Sequence, residues 1–264
     1  MTDLAPGRFN SSEFGPGRKL AQFVLKLRNE PGTLEALSAI ATSNRVNILS
    51  GSHDAPPNSD HGAWSFFADM TDSKQSAEEL AKEFSSLPGT LDVKFKTATT
   101  LIVDTFHFPL FAGDQQVMVL ATRSIAVIFL RVKELLGAGP ATNVLLHQIG
   151  QATGKTNFEL MLSKIDKETL LSSTSEIAGL WSAAGWGMQR IRELDLEGMT
   201  ARTEIQSNFE CSSYGTGSET PQSQFVRGCL SGYWSAFFQK RINAEETRCI
   251  AKGDGACEFL LTPA

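Results

Sequence analysis

Apolar residues alternate with polar ones in several stretches of the first hundred positions. Phe23, Leu25 and Leu27 share one parity, as do Trp64, Phe66 and Ala68, and then Leu91, Val93 and Phe95. A period of two predicts strands with one covered face. Residues 46–50 read as a further strand, and Pro56, Pro57, Asn58 and Ser59 as a turn-rich loop. Between strands the spacing changes. After the break at residues 29–33, Leu34, Leu37, Ile40 and Ala41 fall on one helical face, and Ser73 or Ser76 can cap a helix burying Ala77, Leu80, Ala81 and Phe84. The order βαββαβ predicts a ferredoxin-like split-βαβ unit, an antiparallel sheet with two helices on one face.

Beyond residue 100 helical spacing dominates, then alternation returns. Thr122 can cap a helix carrying Ile125, Ile128, Phe129, Val132, Leu135 and Leu136, which Gly137 ends. Pro140 suits the first turn of a second helix running towards Gly154. Residues 157–163 and 167–184 read as further helices, stopped at Gly185. Met199, Ala201, Thr203, Ile205, Ser207, Phe209 and Cys211 then occupy one parity, with polar residues on the other, predicting a single long strand. After the polar loop 214–222, residues 223–239 form a helix with Phe225, Gly228, Gly232, Trp234 and Phe237, and a terminal hairpin closes the sheet. The fold class expected is α+β in both halves. Residues 1–18, rich in Gly, Pro and Ser, are expected to be a flexible tail, with domains over 19–98 and 99–264.

Composition narrows the function classes. At 264 residues the chain can bury two cores, and 41% hydrophobic with 20% charged content marks a globular protein. A net charge of −5 without a Lys/Arg stripe argues against a nucleic-acid partner. The N-terminus lacks the apolar core of a secretory signal, and the run 117–136 is broken by Thr122, Arg123, Ser124, Arg131, Lys133 and Glu134, so no membrane association is expected. Four cysteines are too few for a disulfide scaffold, which points to reduced thiols and a cytoplasmic location.

The candidate chemistry lies at the C-terminus. Glu246, Cys249 and Cys257 straddle the turn Lys252-Gly253-Asp254-Gly255. If the strands pair about Gly253, Cys249 faces Cys257 with Cα atoms about 4.5–5.5 Å apart. That spacing suits a shared zinc ion, a disulfide, or two small buried residues without further role. No His-Glu-x-x-His, Cys-x-x-Cys, P-loop or Gly-x-Ser-x-Gly elbow occurs, and no nucleotide cofactor is expected. His147, Trp181, Trp186, Phe209, Tyr233, Trp234 and Phe237 are candidates to line an apolar cavity, set against plain core packing.

Two resemblances add to this reading. The Asn29-Glu30-Pro31-Gly32-Thr33-Leu34 turn followed by Val46-Asn47-Ile48 resembles ACT domains over residues 20–97. That resemblance implies a regulatory module binding an amino acid or related molecule, with Asn29, Glu30, Pro31, Gly32 and Asn47 lining the site. Residues 101–261 resemble the 4-vinyl reductase (4VR) domain, found in phenol-responsive regulators and distantly related to TRAPP subunits. The segments carrying it are Leu136-Gly137 through Gly150 and Gly154, Gly185-Trp186-Gly187 through Asp195, Phe225-Val226-Arg227-Gly228 with Gly232, and Glu246-x2-Cys249 with Gly253-Asp254-x2-Cys257. It implies helices packed on an antiparallel sheet, homodimerisation, and a zinc site of three cysteines and a glutamate. Glu246, Cys249 and Cys257 fall on three of those positions. Ser223 stands at the fourth, and Cys211 is the thiol available to replace it.

The expectation is a small-molecule-binding regulatory protein without a catalytic centre. It would take an apolar or aromatic ligand in its 4VR-like domain and pass its signal to an unidentified protein partner. Two alternatives stand beside it. One is a vinyl-group reductase, or an accessory to one, acting on a tetrapyrrole. The other is a dimerising scaffold without ligand.

Overall fold

Phe23, Leu25 and Leu27 are fully covered while Lys26 and Arg28 are exposed, and this alternation organises the N-terminal sheet. The computed structural model describes residues 9–56, 58–112, 115–137, 139–162 and 165–264, divided into two units, Met1–Met118 and Val119–Ala264. Among the described residues no helix is long and apolar enough to cross a membrane.

The first unit runs β1 (Ser12–Phe14), β2 (Leu20–Arg28), α1 (Thr33–Ser43), β3 (Asn47–Asp54), β4 (His61–Asp69), α2 (Ala77–Ser85), β5 (Thr90–Ala98), β6 (Leu101–Val103), β7 (Leu110–Ala112) and β8 (Gln115–Val117). The central sheet has the order β3-β4-β2-β5, every neighbour antiparallel, which is the expected split-βαβ topology. Leu37 and Ala41 of α1 and Leu80, Ala81 and Phe84 of α2 bury against Phe23, Leu25 and Phe66. Ser76, not Ser73, caps α2. Its Oγ accepts from Glu79 N at 3.2 Å while Glu79 Oε2 accepts from Ser76 N at 2.8 Å, a reciprocal capping box.

Two expectations for this half are corrected. Ser12–Phe14, placed in a flexible tail, pairs with Leu101–Val103, so at least this part of residues 1–18 is ordered strand; residues 1–8 lie outside the described residues. Because β1 holds β6, residues 99–118 fall in the first unit rather than the second.

The second unit runs α3 (Thr122–Leu136), α4 (Pro140–Leu162), α5 (Lys167–Ser172), α6 (Thr174–Ala183), β9 (Met188–Asp195), β10 (Thr200–Gln206), α7 (Gln224–Phe238), β11 (Ile242–Arg248) and β12 (Cys257–Pro263). Its sheet is antiparallel in the order β11-β12-β10-β9. Helices first, then strands with one helix inserted, is the α+β arrangement expected.

Gly154 does not end a helix. A Cβ at Gly150 would lie 2.1 Å from Phe225 O, and at Gly154 2.0 Å from Cys229 O. Reciprocally, Cβ atoms at Gly228 and Gly232 would lie 2.1 Å from His147 O and Gln151 O. Two Gly-x3-Gly faces therefore let the backbones of α4 and α7 touch, and α4 continues unbroken past them. Three more boundaries differ from expectation. Ser173 (φ −112°, ψ 23°) divides residues 167–184 into α5 and α6, and Asp166 caps α5 by accepting from Thr169 N at 2.7 Å. Ala121 rather than Thr122 is the N-cap of α3. The long alternating strand stops at Gln206, because Ser207 turns left-handed at φ 52°.

The crossing generates a first prediction. Gly154→Ala and Gly232→Ala each drive a methyl group into a backbone carbonyl and are expected to destabilise the fold by about 3 kcal/mol or more. Gly179→Ala, at an exposed position of α6 where an added Cβ meets nothing within 4 Å, should stabilise by up to ~1 kcal/mol. Urea denaturation of the three variants decides it, and a wild-type midpoint for Gly154→Ala would refute the close crossing.

Candidate metal centre and aromatic cluster

β11 and β12 place the carboxylate and two of the thiols. Along β11, Ile242, Ala244 and Glu246 face inward, and strict alternation would turn residue 249 outward. A register shift between Glu246 and Arg248 restores the parity, so Glu246 and Cys249, three apart, both point into the protein. The connection is not a tight turn centred on Gly253. It is a 3-10 turn over Ile250–Lys252 followed by Gly253 at φ 103°. Asp254 Oδ2 accepts from Cys249 N at 2.8 Å, and Ile250 N donates to Cys257 Sγ at 3.5 Å. Cys257, Phe259 and Leu261 alternate inward along β12.

The third thiol arrives from elsewhere. After Ser207 the chain reverses, and Cys211 opens a 3-10 turn, Cys211–Ser213, instead of ending a strand. One ligand atom each from Cys211, Glu246, Cys249 and Cys257 lies within 4.8 Å of the others, and all four residues are buried. Cys211 Sγ is 3.3 Å from Cys249 Sγ. Ser223 sits among them rather than away from them. Its Oγ lies 2.7 Å from Glu246 Oε1, 2.8 Å from Cys211 Sγ and 3.7 Å from Cys257 Sγ, and its N–H donates to Glu246 Oε2 at 3.0 Å. Asn208 Nδ2 donates to the same hydroxyl at 2.9 Å. Cys229 is buried on α7, against Gly154, outside this set.

Electrostatics explain why such a set favours a cation. Burial pushes the Glu246 carboxyl up to about 8 despite the Ser223 hydroxyl bond that pulls it down. The sulfur contact with Cys211, and then that with Cys257, hold the Cys249 thiol far below its usual range, while the contact with Cys249 drives Cys211 far above. One hydroxyl proton cannot serve a carboxylate and two sulfurs together. A soft divalent ion bound by three thiolates and a carboxylate would neutralise the cluster, and ligands about 2.3 Å from a tetrahedral zinc sit roughly 3.7 Å apart. The donor set fits such an ion.

Trp181, Trp186 and Phe209, expected near one another, do meet. Ring centroids are 4.9 Å apart for Trp181–Trp186 and 5.3 Å for Trp186–Phe209. Phe129 and Phe225, singled out in sequence only as helix-face residues, complete the cluster at 5.1 Å from each other and 6.0 Å for Trp186–Phe225. Tyr233 and Trp234 join a second group of rings with Phe158, Phe237 and Phe238. His147 is half-buried on α4, where burial, and then Arg227, lower its pKa. Trp181 Nε1 and the Tyr214 hydroxyl are buried and make no hydrogen bond.

Sequence reasoning missed two charged residues here. Glu210 is covered, and its carboxylate accepts from Phe225 N at 3.0 Å and Val226 N at 2.8 Å, at the N-terminus of α7. Burial pushes it up to about 7 against the pull of those amides. Lys133 donates to Gln222 Oε1 at 2.9 Å and lies 4.0 Å from the Tyr214 ring centroid; burial lowers its pKa while Glu210 raises it. The signal for Lys133 was a cation one residue beyond Val132 in an otherwise apolar helix.

In the first unit Asn29 Nδ2 donates to Ser59 O at 3.1 Å, Gly32 turns the chain at φ 90° into α1, and Asn47 opens β3 opposite Asp69. A cleft of about 410 Å³ is lined by Lys26, Asp54, His61, Asp92 and Lys94 among others, and Asn29, Pro31, Gly32 and Asn47 are not part of its lining.

The centre generates a second prediction. The intact chain is expected to bind about one zinc ion. Cys211→Ser should lower metal content as far as Cys257→Ser, and Cys229→Ser should leave it unchanged. Elemental analysis after dialysis reads this, and full retention by Cys211→Ser would remove that residue from the site.

Known proteins share parts of this architecture. The chain is similar to the uncharacterized protein MJ0150 of Methanocaldococcus jannaschii, 26% identical over 127 residues, covering 48% of this chain and 68% of the relative. Among solved structures it is similar to the phenol-responsive sensory domain of the transcription activator PoxR with phenol, at 21% identity and TM-score 0.48, covering 58% of this chain and 79% of that one. It is also similar to a vinyl-4-reductase family protein from Methanocaldococcus jannaschii, at 17% identity and TM-score 0.39, covering 56% and 84%. Residues 201–263 match the family model of the 4-vinyl reductase (4VR) domain, and that span contains Cys211, Glu246, Cys249 and Cys257.

Proposed function

We propose that this chain is a small-molecule-sensing regulatory protein whose second unit takes an aromatic compound against the Phe129, Trp181, Trp186, Phe209 and Phe225 rings. The observation that carries the reading is the buried Trp181 Nε1, which makes no hydrogen bond beside a wall of aromatic faces. An unsatisfied buried donor costs about 1–3 kcal/mol, and an aromatic ligand carrying one oxygen acceptor would offset that cost. Few polar groups around a ring-lined region favour holding a guest over transforming it. The match of residues 201–263 to the 4VR domain is in keeping with this. Zinc at the thiol centre is proposed as a structural ion beside the rings. In the first unit we propose a regulatory role as an ACT-like module, resting on its split-βαβ topology. Its signal would leave through contacts with another protein.

A homodimer is proposed on different grounds. Val127 and Ile128 of α3 and Val144, Leu145 and Ile149 of α4 expose apolar side chains in the second unit. Exposed apolar surface of this kind favours association.

Phenol, a small ring with one acceptor for an indole N–H, is the first probe. It is expected to raise the melting temperature of the intact chain. Trp181→Phe should weaken its binding by about 5–10-fold, the worth of one hydrogen bond, and Trp186→Ala should abolish it. No shift with phenol or its methylated relatives would sink the sensing reading. Oxidation of a nicotinamide or flavin cofactor with turnover would replace it with the reductase. For assembly, light scattering should give twice the 28.7 kDa chain mass, and Ile128→Lys should return it to the chain mass. A wild-type protein running at the chain mass would dismiss the dimer.

A further inference from the structure

Four consecutive buried residues after β10 each face a different neighbour. Asn208 Nδ2 donates to Ser223 Oγ, and Asn208 Oδ1 accepts from Glu210 N at 3.2 Å. Phe209 packs on Trp186, Phe225 and Phe129. Glu210 accepts the amides of Phe225 and Val226. Cys211 reaches Cys249 and Ser223. The start of α7 repeats the pattern. Ser223 binds Glu246 through its N–H and hydroxyl, and two residues later Phe225 enters the aromatic cluster. Two separate stretches of chain thus begin at the thiol–carboxylate centre and, two residues away, end on an aromatic ring.

Neither stretch has room to absorb a displacement silently. Asn208, Phe209, Glu210, Cys211 and Ser223 are all buried, and close-packed interiors pass a shift on to their neighbours. α7 itself is pinned to α4 by Gly150, Gly154, Gly228 and Gly232, so it cannot drift away to relieve strain at its N-terminus. Donor atoms now spread over as much as 4.8 Å would be drawn to roughly 3.7 Å by a tetrahedral ion, a movement of about 1 Å.

We propose that metal occupancy of the Cys211, Glu246, Cys249 and Cys257 centre sets the packing of the aromatic cluster, so that a soft divalent cation and an aromatic ligand are linked effectors of the second unit. The coupling runs through residues 208–211 and through Ser223 to Phe225. Glu210 is a positioning residue that ties the two paths together by holding the Phe225 amide. This inference rests on the ring cluster being the ligand site and goes beyond it by making the metal centre its regulator. Linkage is reciprocal: the factor by which zinc changes phenol affinity equals the factor by which phenol changes zinc affinity.

The test uses the intact chain stripped of metal with a chelator and titrated with zinc while tryptophan emission is recorded. Emission should change and saturate at about one zinc per chain. Trp186→Phe should bind zinc as before and lose most of that change. Glu210→Gln, which keeps the volume of the side chain, should keep zinc affinity and its melting temperature yet show a diminished emission change. Phenol affinity should differ at least fivefold between the metal-free and zinc-loaded protein. Failure of zinc to bind overturns the proposal, as does zinc binding that leaves the Trp186 signal unchanged. So does a Glu210→Gln variant that responds like wild type. Phenol that binds equally with and without zinc also overturns it. Phenol that binds in neither state counts against the ligand site itself, and the zinc-dependent emission of Trp186 then still decides whether metal and rings are coupled.

Discussion

The contact between α4 and α7 is the constraint on which the second unit depends. Four glycines remove every Cβ from the crossing, and any one replaced would put a methyl carbon about 2 Å from a carbonyl oxygen. Glycine costs a helix interior about 1 kcal/mol relative to alanine, so four of them are a local loss that only the tertiary contact can offset. The gain is rigidity at a particular place. α7 carries Val226, Cys229, Leu230, Trp234 and Phe237 into the core, and its N-terminus is thereby fixed relative to the sheet.

What gathers at that fixed N-terminus is negative charge. Glu210 takes the amides of Phe225 and Val226, and Glu246 takes that of Ser223. Helix N-termini offer unsatisfied N–H groups and the positive end of the macrodipole, each interaction worth about 0.3–2 kcal/mol. Burying an ionised carboxylate costs several kcal/mol, so the amides alone do not win. Both carboxyls accordingly sit well above their ordinary range, at about 7 and about 8. Three thiols beside them add to the deficit of positive charge, with Lys133 half-buried nearby. The helix end can hold these groups partly protonated by itself and fully ionised only with a cation.

Local pattern carried much of the fold and half of the centre into view. Phe23, Leu25 and Leu27 announce a strand because their burial follows strict alternation, and Cys257, Phe259 and Leu261 do the same at the other end. Glu246 and Cys249 were legible as a pair, although the bulge that makes a spacing of three work was not. Cys211 was visible as a thiol on the right parity, yet it reaches the centre for another reason: Ser207 breaks the strand with a left-handed turn that a serine seldom signals. Glu210 was hidden because it continues the polar parity of Thr200, Arg202 and Glu204, which within β10 faces away from the core. Gly154 read as a stop because a glycine in a helix has the same local appearance whether it ends the helix or receives another. The unit boundary was missed for the same kind of reason, since β1 and β6 pair across nearly ninety positions with only three residues each.

Ser223 shows how the protons of the centre must be arranged, and what a cation would do to them. Its Oγ accepts from Asn208 and sits closest to Glu246, so its single proton is best spent on the carboxylate. The short Cys211–Cys249 contact then needs one sulfur to donate and the other to accept, and the opposed shifts of the two thiols assign the proton to Cys211 and the charge to Cys249. Zinc ligation requires the thiolate form of each cysteine and the ionised form of Glu246, so uptake of the ion must expel protons that the metal-free centre retains. Affinity for the metal therefore climbs with pH through the range in which the raised Glu246 carboxyl ionises, near 8, and not through the ordinary carboxylate range. A serine at the middle of the set, unable to become a thiolate, holds the carboxylate in place through both states.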